Sequence, residues 1–134
     1  MLQAGVAVLN PMMKSHGFVY SSTSEGVGSG GTFASGEFRR GNRRLELHFR
    51  YSLGLVKYHL GSAALSHEDY MWSVLSRRHA SHYPGFSENA LDGFRHLLLD
   101  LEQYGSTFLA GSDVEFARHI ERAEVLNRSS SRLP

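Results

Sequence analysis

The sequence predicts an α+β fold: an N-terminal helix, a four-stranded antiparallel meander, then about three C-terminal helices packed on one sheet face. Three observations carry this reading. Apolar residues recur at helical spacing in the first and last thirds of the chain, apolar and charged residues alternate strictly in the middle, and glycine-containing turns separate the segments. At 134 residues the chain fits one domain, assigned to residues 1–127, with the Ser/Arg-rich stretch 128–134 as a disordered tail.

Val6, Leu9, Met12 and Met13 form one helical stripe. Asn10-Pro11 interrupts it, either as the cap and first residue of a fresh helix or as a kink in a continuous one. Gly17 stands where the helix should stop, and Phe18-Val19-Tyr20 begins a strand. Residues 21–31 are rich in Ser and Gly and read as a flexible hairpin connection. No Gly-Lys-Ser/Thr closes that segment, and the strand-like Thr32–Arg39 follows it, so neither phosphate-loop nor dinucleotide chemistry is indicated.

Arg39-Arg40-Gly41-Asn42-Arg43-Arg44 has the composition of a hairpin turn, with Gly41-Asn42 able to take positive φ. Pairing outward from it sets Phe38 opposite Leu45, Gly36 opposite Leu47 and Ala34 opposite Phe49. Leu45, Leu47, Phe49 and Tyr51 then share one face, and Arg44, Glu46, His48 and Arg50 the other. A second turn near Ser52-Leu53-Gly54 leads into Leu55–Leu60, where Val56, Tyr58 and Leu60 continue the apolar face and Lys57 and His59 the polar one.

The helical part opens with Ser66-His67-Glu68-Asp69, which resembles a capping box, and Tyr70, Met71, Val74 and Leu75 supply the inward stripe. Pro84-Gly85 ends the segment. Leu91, Phe94, Leu97, Leu98, Leu101 and Tyr104 form the next stripe, with Gly105 as its stop. Ser112-Asp113-Val114-Glu115 opens a last helix with Phe116, Ile120 and Ala123 on its apolar side.

Composition narrows the function. No cysteine is present, which excludes disulfides, thiol nucleophiles and Cys-ligated metals. Fourteen basic against thirteen acidic residues give a net charge of +1, unlike the strongly basic footprint of a nucleic-acid or membrane-surface binder. No apolar run approaches the roughly 18 residues that span a bilayer, and the opening residues lack the basic region of a signal peptide. A cytoplasmic protein that binds neither nucleic acid nor membrane is expected. There is no Gly-x-Ser-x-Gly elbow, His-Glu-x-x-His or EF-hand loop, which weighs against an enzyme.

Leu9-Asn10-Pro11-Met12-Met13-Lys14-Ser15-His16-Gly17-Phe18, followed by Gly31-Thr32-Phe33, resembles the opening of a bacterial domain-of-unknown-function family. Its members begin with a helix, Gly-Phe, a loop and then strands. In size and layout the chain is similar to small bacterial immunity proteins, which neutralise toxins by binding them. The resemblance implies a protein-interaction module. It transfers no catalytic or binding residue.

Two surfaces are candidates for binding a ligand or partner. Arg39, Arg40, Arg43 and Arg44 around the Gly41-Asn42 turn could grip phosphate or an acidic partner. The polar sheet face gathers Glu37, Arg44, Glu46, His48, Arg50, Lys57 and His59. A two-residue turn at Leu53-Gly54 would set His48 opposite His59, near enough to share a divalent metal with Glu46 as the carboxylate ligand. A register two residues away would instead pair His59 with Glu46, an ordinary polar pair or a base oriented by a carboxylate. No cofactor other than such a metal is expected. A second copy of the chain is the alternative partner. His67 with His79 and His82 forms a third histidine group, read as structural, as are His96 and His119.

Overall fold

Helix α1 (Leu2–Ser15) runs unbroken through Pro11, which decides between the two readings of that proline. Ala7, four residues earlier, is exposed like Pro11, so the carbonyl that loses its N–H partner faces solvent. The helix ends in a Schellman motif. Phe18 N donates to the Met13 carbonyl at 3.0 Å and Gly17 N to that of Lys14 at 3.0 Å, with Gly17 at φ +85°. The computed structural model describes residues 2–28, 31–50, 52–75 and 91–131, with side chains from 4–23, 34–49, 53–74 and 91–126.

Five strands follow in chain order as one antiparallel meander: β1 (Val19–Gly28), β2 (Gly31–Arg40), β3 (Arg43–Arg50), β4 (Ser52–Leu60) and β5 (Ala63–Ser66). The sheet thus has one strand more than the sequence suggested. β1 also extends through residues 21–28, read from composition as a loop. Ser and Gly have little strand preference of their own, and it is pairing with β2 that makes this segment a strand.

The β2–β3 register is the expected one, with Phe38↔Leu45, Gly36↔Leu47 and Ala34↔Phe49. The β3–β4 register is not. Arg50 pairs with Ser52 and Phe49 with Leu53, and His59 stands opposite Arg44 rather than His48 or Glu46. Between Leu47↔Val56 and Phe49↔Leu53, β4 carries one residue more than β3, so Gly54 and Leu55 together oppose His48. This bulge matters for the faces. Continued without it, the Phe49↔Leu53 register would turn Lys57 and His59 inward; the extra residue restores Val56 and Tyr58 to the core.

The helices bury their apolar sides against the inward face. They are α2 (His67–Leu75), α3 (Asp92–Tyr104), the single turn α4 (Ser106–Leu109) and α5 (Asp113–Ser131), one more than expected because of α4. Ser66 caps α2 through its Oγ to Asp69 N at 3.1 Å, and Ser112 caps α5 through Glu115 N at 3.1 Å, as the sequence indicated. The core joins Leu9, Met13, Phe18, Phe38, Leu45, Leu47 and Tyr58 to Tyr70, Phe94, Leu97, Phe108 and Phe116. α5 continues to Ser131, into the stretch read as a tail; residues 132–134 lie outside the described residues. Among the described residues no helix is long and apolar enough to cross a membrane.

Candidate functional site

The outward face of the sheet presents a continuous chain of polar side chains across three strands. Alternation places Glu37 and Arg39 of β2, Arg44, Glu46 and His48 of β3, and Lys57 and His59 of β4 on that face. Arg44 donates to Glu37 Oε2 at 3.0 Å and lies 3.3 Å from His59 Nδ1. His59 Nε2 meets Glu46 Oε1 at 2.6 Å, and the other Glu46 oxygen is hydrogen-bonded to His48 Nε2. Glu37, Arg44, His59, Glu46 and His48 therefore form one linked row, with Glu46 holding both imidazoles.

Burial grades along that row. His59 is 12% exposed and His48 44%, so one end is fixed within the sheet surface and the other is open. Desolvation works to raise the Glu46 carboxyl, but hydrogen bonds and charge interaction with His48 and His59 outweigh it and hold the group below its usual 4.5. Ser35, opposite His48, is buried under Thr23, whose Oγ1 is 2.8 Å from its own Oγ.

The sequence-derived site residues do not all belong to this surface. Arg40 and Arg43 turn inward, because Arg40 shares the face of Phe38 and Arg43 that of Leu45. Arg40 donates to the carbonyls of His16 at 2.7 Å and Leu109 at 2.6 Å, over the Phe18 ring. Arg43 is buried and donates to the carbonyls of Phe108 and Gly111 and to Asp113 Oδ1 at 2.9 Å. Hydrogen bonds from Arg43 and Asn42 hold the Asp113 carboxyl below its ordinary value. These two arginines fasten the hairpin to the ends of α1, α4 and α5. Only Arg39 and Arg44 of the four reach the outer surface. Arg50 has its side chain outside the described residues, as do Tyr51, Leu75, His79, His82 and the Pro84-Gly85 stop.

The proposed metal ligands His48, His59 and Glu46 do come together, but as a hydrogen-bonded triplet in which both Nε2 atoms point at the carboxylate. Among the described residues no group of three or more His, Cys, Asp or Glu is placed to hold a metal ion.

Sequence reasoning missed a second histidine chain, on the inward face. Tyr58 Oη lies 2.6 Å from His67 Nδ1, and His67 Nε2 lies 2.8 Å from Asp100 Oδ2. The His67 and Asp100 side chains are 3% and 0% exposed. Burial, with the nearby Tyr70 and Asp100, pushes the Tyr58 hydroxyl well above its normal range. The phenol stays protonated, so its O–H can donate to Nδ1 while Nε2–H donates to Asp100. Asp100 sits at the edge of the apolar stripe of α3, the signal that could have pointed to a buried polar partner.

Compared with known proteins, the chain matches no family model, no curated protein and no solved structure.

Proposed function

We propose that the protein is a protein-interaction module that receives an acidic protein surface on the outward face of its sheet. The observation that carries this reading is the linked row Glu37–Arg44–His59–Glu46–His48, assembled on the face opposite the one the described helices pack against. Side chains already held by one another lose little rotamer freedom on docking, so complementarity is converted to affinity at low entropic cost.

The shape suits a protein rather than a small ligand. Five strands about 4.8 Å apart and about eight residues long present a plane of roughly 600 Å². That is the order of one side of a standard interface, about 800 Å² per partner. Val19, 70% exposed beside Arg39, and Leu55, 43% exposed at the bulge, add apolar contact on either side of the polar row. Charge sets the partner's sign. The carboxylates of Glu37 and Glu46 are taken up within the row, whereas Arg39 and Lys57 form no ion pair with a described residue. The face is left net basic, complementary to carboxylates. An immunity-like role in the bacterial cytoplasm, blocking a target by occupying its surface, is the specific form of this reading and rests on the size and layout of the chain.

A photo-crosslinking residue at position 55 and another at Val125 on α5 test the idea. Adducts to an acidic protein from position 55, lost at high salt and in an Arg39→Glu/Lys57→Glu variant, are expected. Adducts only from position 125, or only to a second copy of the chain, would overturn it.

A further inference from the structure

A cleft of about 390 Å³ opens between α2, α4 and α5, away from the sheet face. α5 contributes Glu115, Arg118, His119 and Arg122, spaced i, i+3, i+4 and i+7 so that they share one side of the helix. Ser73 and Val74 of α2 and Thr107 of α4 complete the walls. The Ser73 hydroxyl has one hydrogen, and it goes to the Tyr70 carbonyl at 2.6 Å. Its contact with His119 Nδ1 at 3.1 Å therefore requires Nδ1 to be the donor, which leaves Nε2 as the ring's remaining polar atom. Ser73 is buried and committed, so it serves as an orienting group for the imidazole.

We infer that this cleft binds a small organic phosphate monoester, its oxygens taken by the Arg118 and Arg122 guanidinium groups and its acidic hydrogen shared with His119 Nε2. Two arginines against one glutamate give the walls a net positive charge with the imidazole neutral. Glu115 opposes an anion, but one of its oxygens accepts from Ser112 Oγ at 3.3 Å in its own capping box. Burial, then the Arg122 charge, holds His119 below its ordinary 6.5, so at pH 7 the ring is neutral and accepts a hydrogen bond. A phosphate monoester, with a second ionisation near 6, is mostly the dianion at pH 7, so it binds with uptake of one proton from solution, held between an oxygen and Nε2, while its other oxygens face the arginines. The volume lies in the range of small-molecule sites, about 300–1,000 Å³, so the phosphate carries an organic group against Val74 and the Thr107 methyl.

Phenyl phosphate titrated into the full chain, followed by NMR of the histidine ring resonances, tests this. Saturable movement of the His119 resonances is expected, with Arg118→Ala raising Kd at least about tenfold, or 1.4 kcal/mol. Glu115→Gln is expected to lower Kd, and benzoate to bind at least about tenfold more weakly than phenyl phosphate. Both substituted residues are exposed, so far-UV circular dichroism should be unchanged. No movement of His119 up to about 10 mM ligand, equal binding by Arg118→Ala, or equal binding of benzoate would overturn the inference.

Discussion

Tyr58 and His59 are neighbours on β4, and each begins a polar chain containing histidine and a carboxylate. Tyr58 points inward to His67, whose ring reaches Asp100; His59 points outward to Glu46, which also holds His48. The donors and acceptors are nearly the same, yet the surroundings differ. The inner chain is sealed between the sheet, α2 and α3, where an unmade hydrogen bond has no water to replace it. The outer chain borders solvent, most openly at His48, where a broken bond is replaced by water at little net cost. Chemistry of one kind is thus structural on one side of the sheet and available for recognition on the other. What separates the two is the parity of β4, and that parity is set by the bulge at Gly54-Leu55.

Replacing the inward Tyr58 by lysine attacks that separation directly and has the largest expected effect. Tyr58→Lys places a charge where Tyr58 is fully buried; loss of near-UV circular dichroism and of a cooperative melt should follow. Asp100→Ala comes next. It leaves the His67 Nε2–H buried without its acceptor and should cost about 1–3 kcal/mol in urea unfolding. Asp100→Asn should cost less, because the amide oxygen still accepts from Nε2–H. If the two substitutions are equally damaging, the carboxylate charge matters beyond the hydrogen bond.

On the outer face the effects are smaller and depend on pH. Glu46 has a folded-state pKa below its unfolded one, so its stabilisation is present above the unfolded value and fades as pH falls through the lowered folded value. Unfolding free energies measured from about pH 6 down to pH 3 should fall less steeply for Glu46→Gln than for the unaltered chain. His48→Ala should change stability by no more than about 0.5 kcal/mol, while weakening capture of the partner at position 55. A large loss of stability from His48→Ala would erase the contrast between the two faces.

Much of this arrangement could be read from the residues alone. Strict alternation plus the Gly41-Asn42 turn fixes which residues of β2 and β3 meet, and Ser66, Ser112 and Gly17 mark helix ends by local hydrogen bonding. What escaped was nonlocal or contrary to local preference. β5 offers four residues of weak strand preference beside a helix cap, and β1 is Ser/Gly-rich; both exist because a neighbouring strand satisfies their backbone. The β3–β4 register depends on a bulge that leaves the periodicity of Val56, Tyr58 and Leu60 untouched. Arg40 and Arg43 were grouped with Arg39 and Arg44 by charge, although alternation already assigned them to the face of Phe38 and Leu45. His67 and Asp100 are 33 positions apart, and only the packing of α2 and α3 on the sheet brings them together.

The inward turn of Arg40 and Arg43 has a consequence for proteolysis. Four of the six residues from 39 to 44 are arginine, which on sequence makes the hairpin tip an inviting target for trypsin. Cleavage requires a protease to draw several residues into its cleft in extended form, and this tip is tied at both inward arginines to carbonyls of α1, α4 and the turn before α5. Gly61 N adds a 2.8 Å bond to the Asn42 carbonyl, joining the two hairpin turns at that end of the sheet. Trypsin should spare these bonds for as long as the helices stay docked, so the rate at which the hairpin is cut becomes a clock for their release.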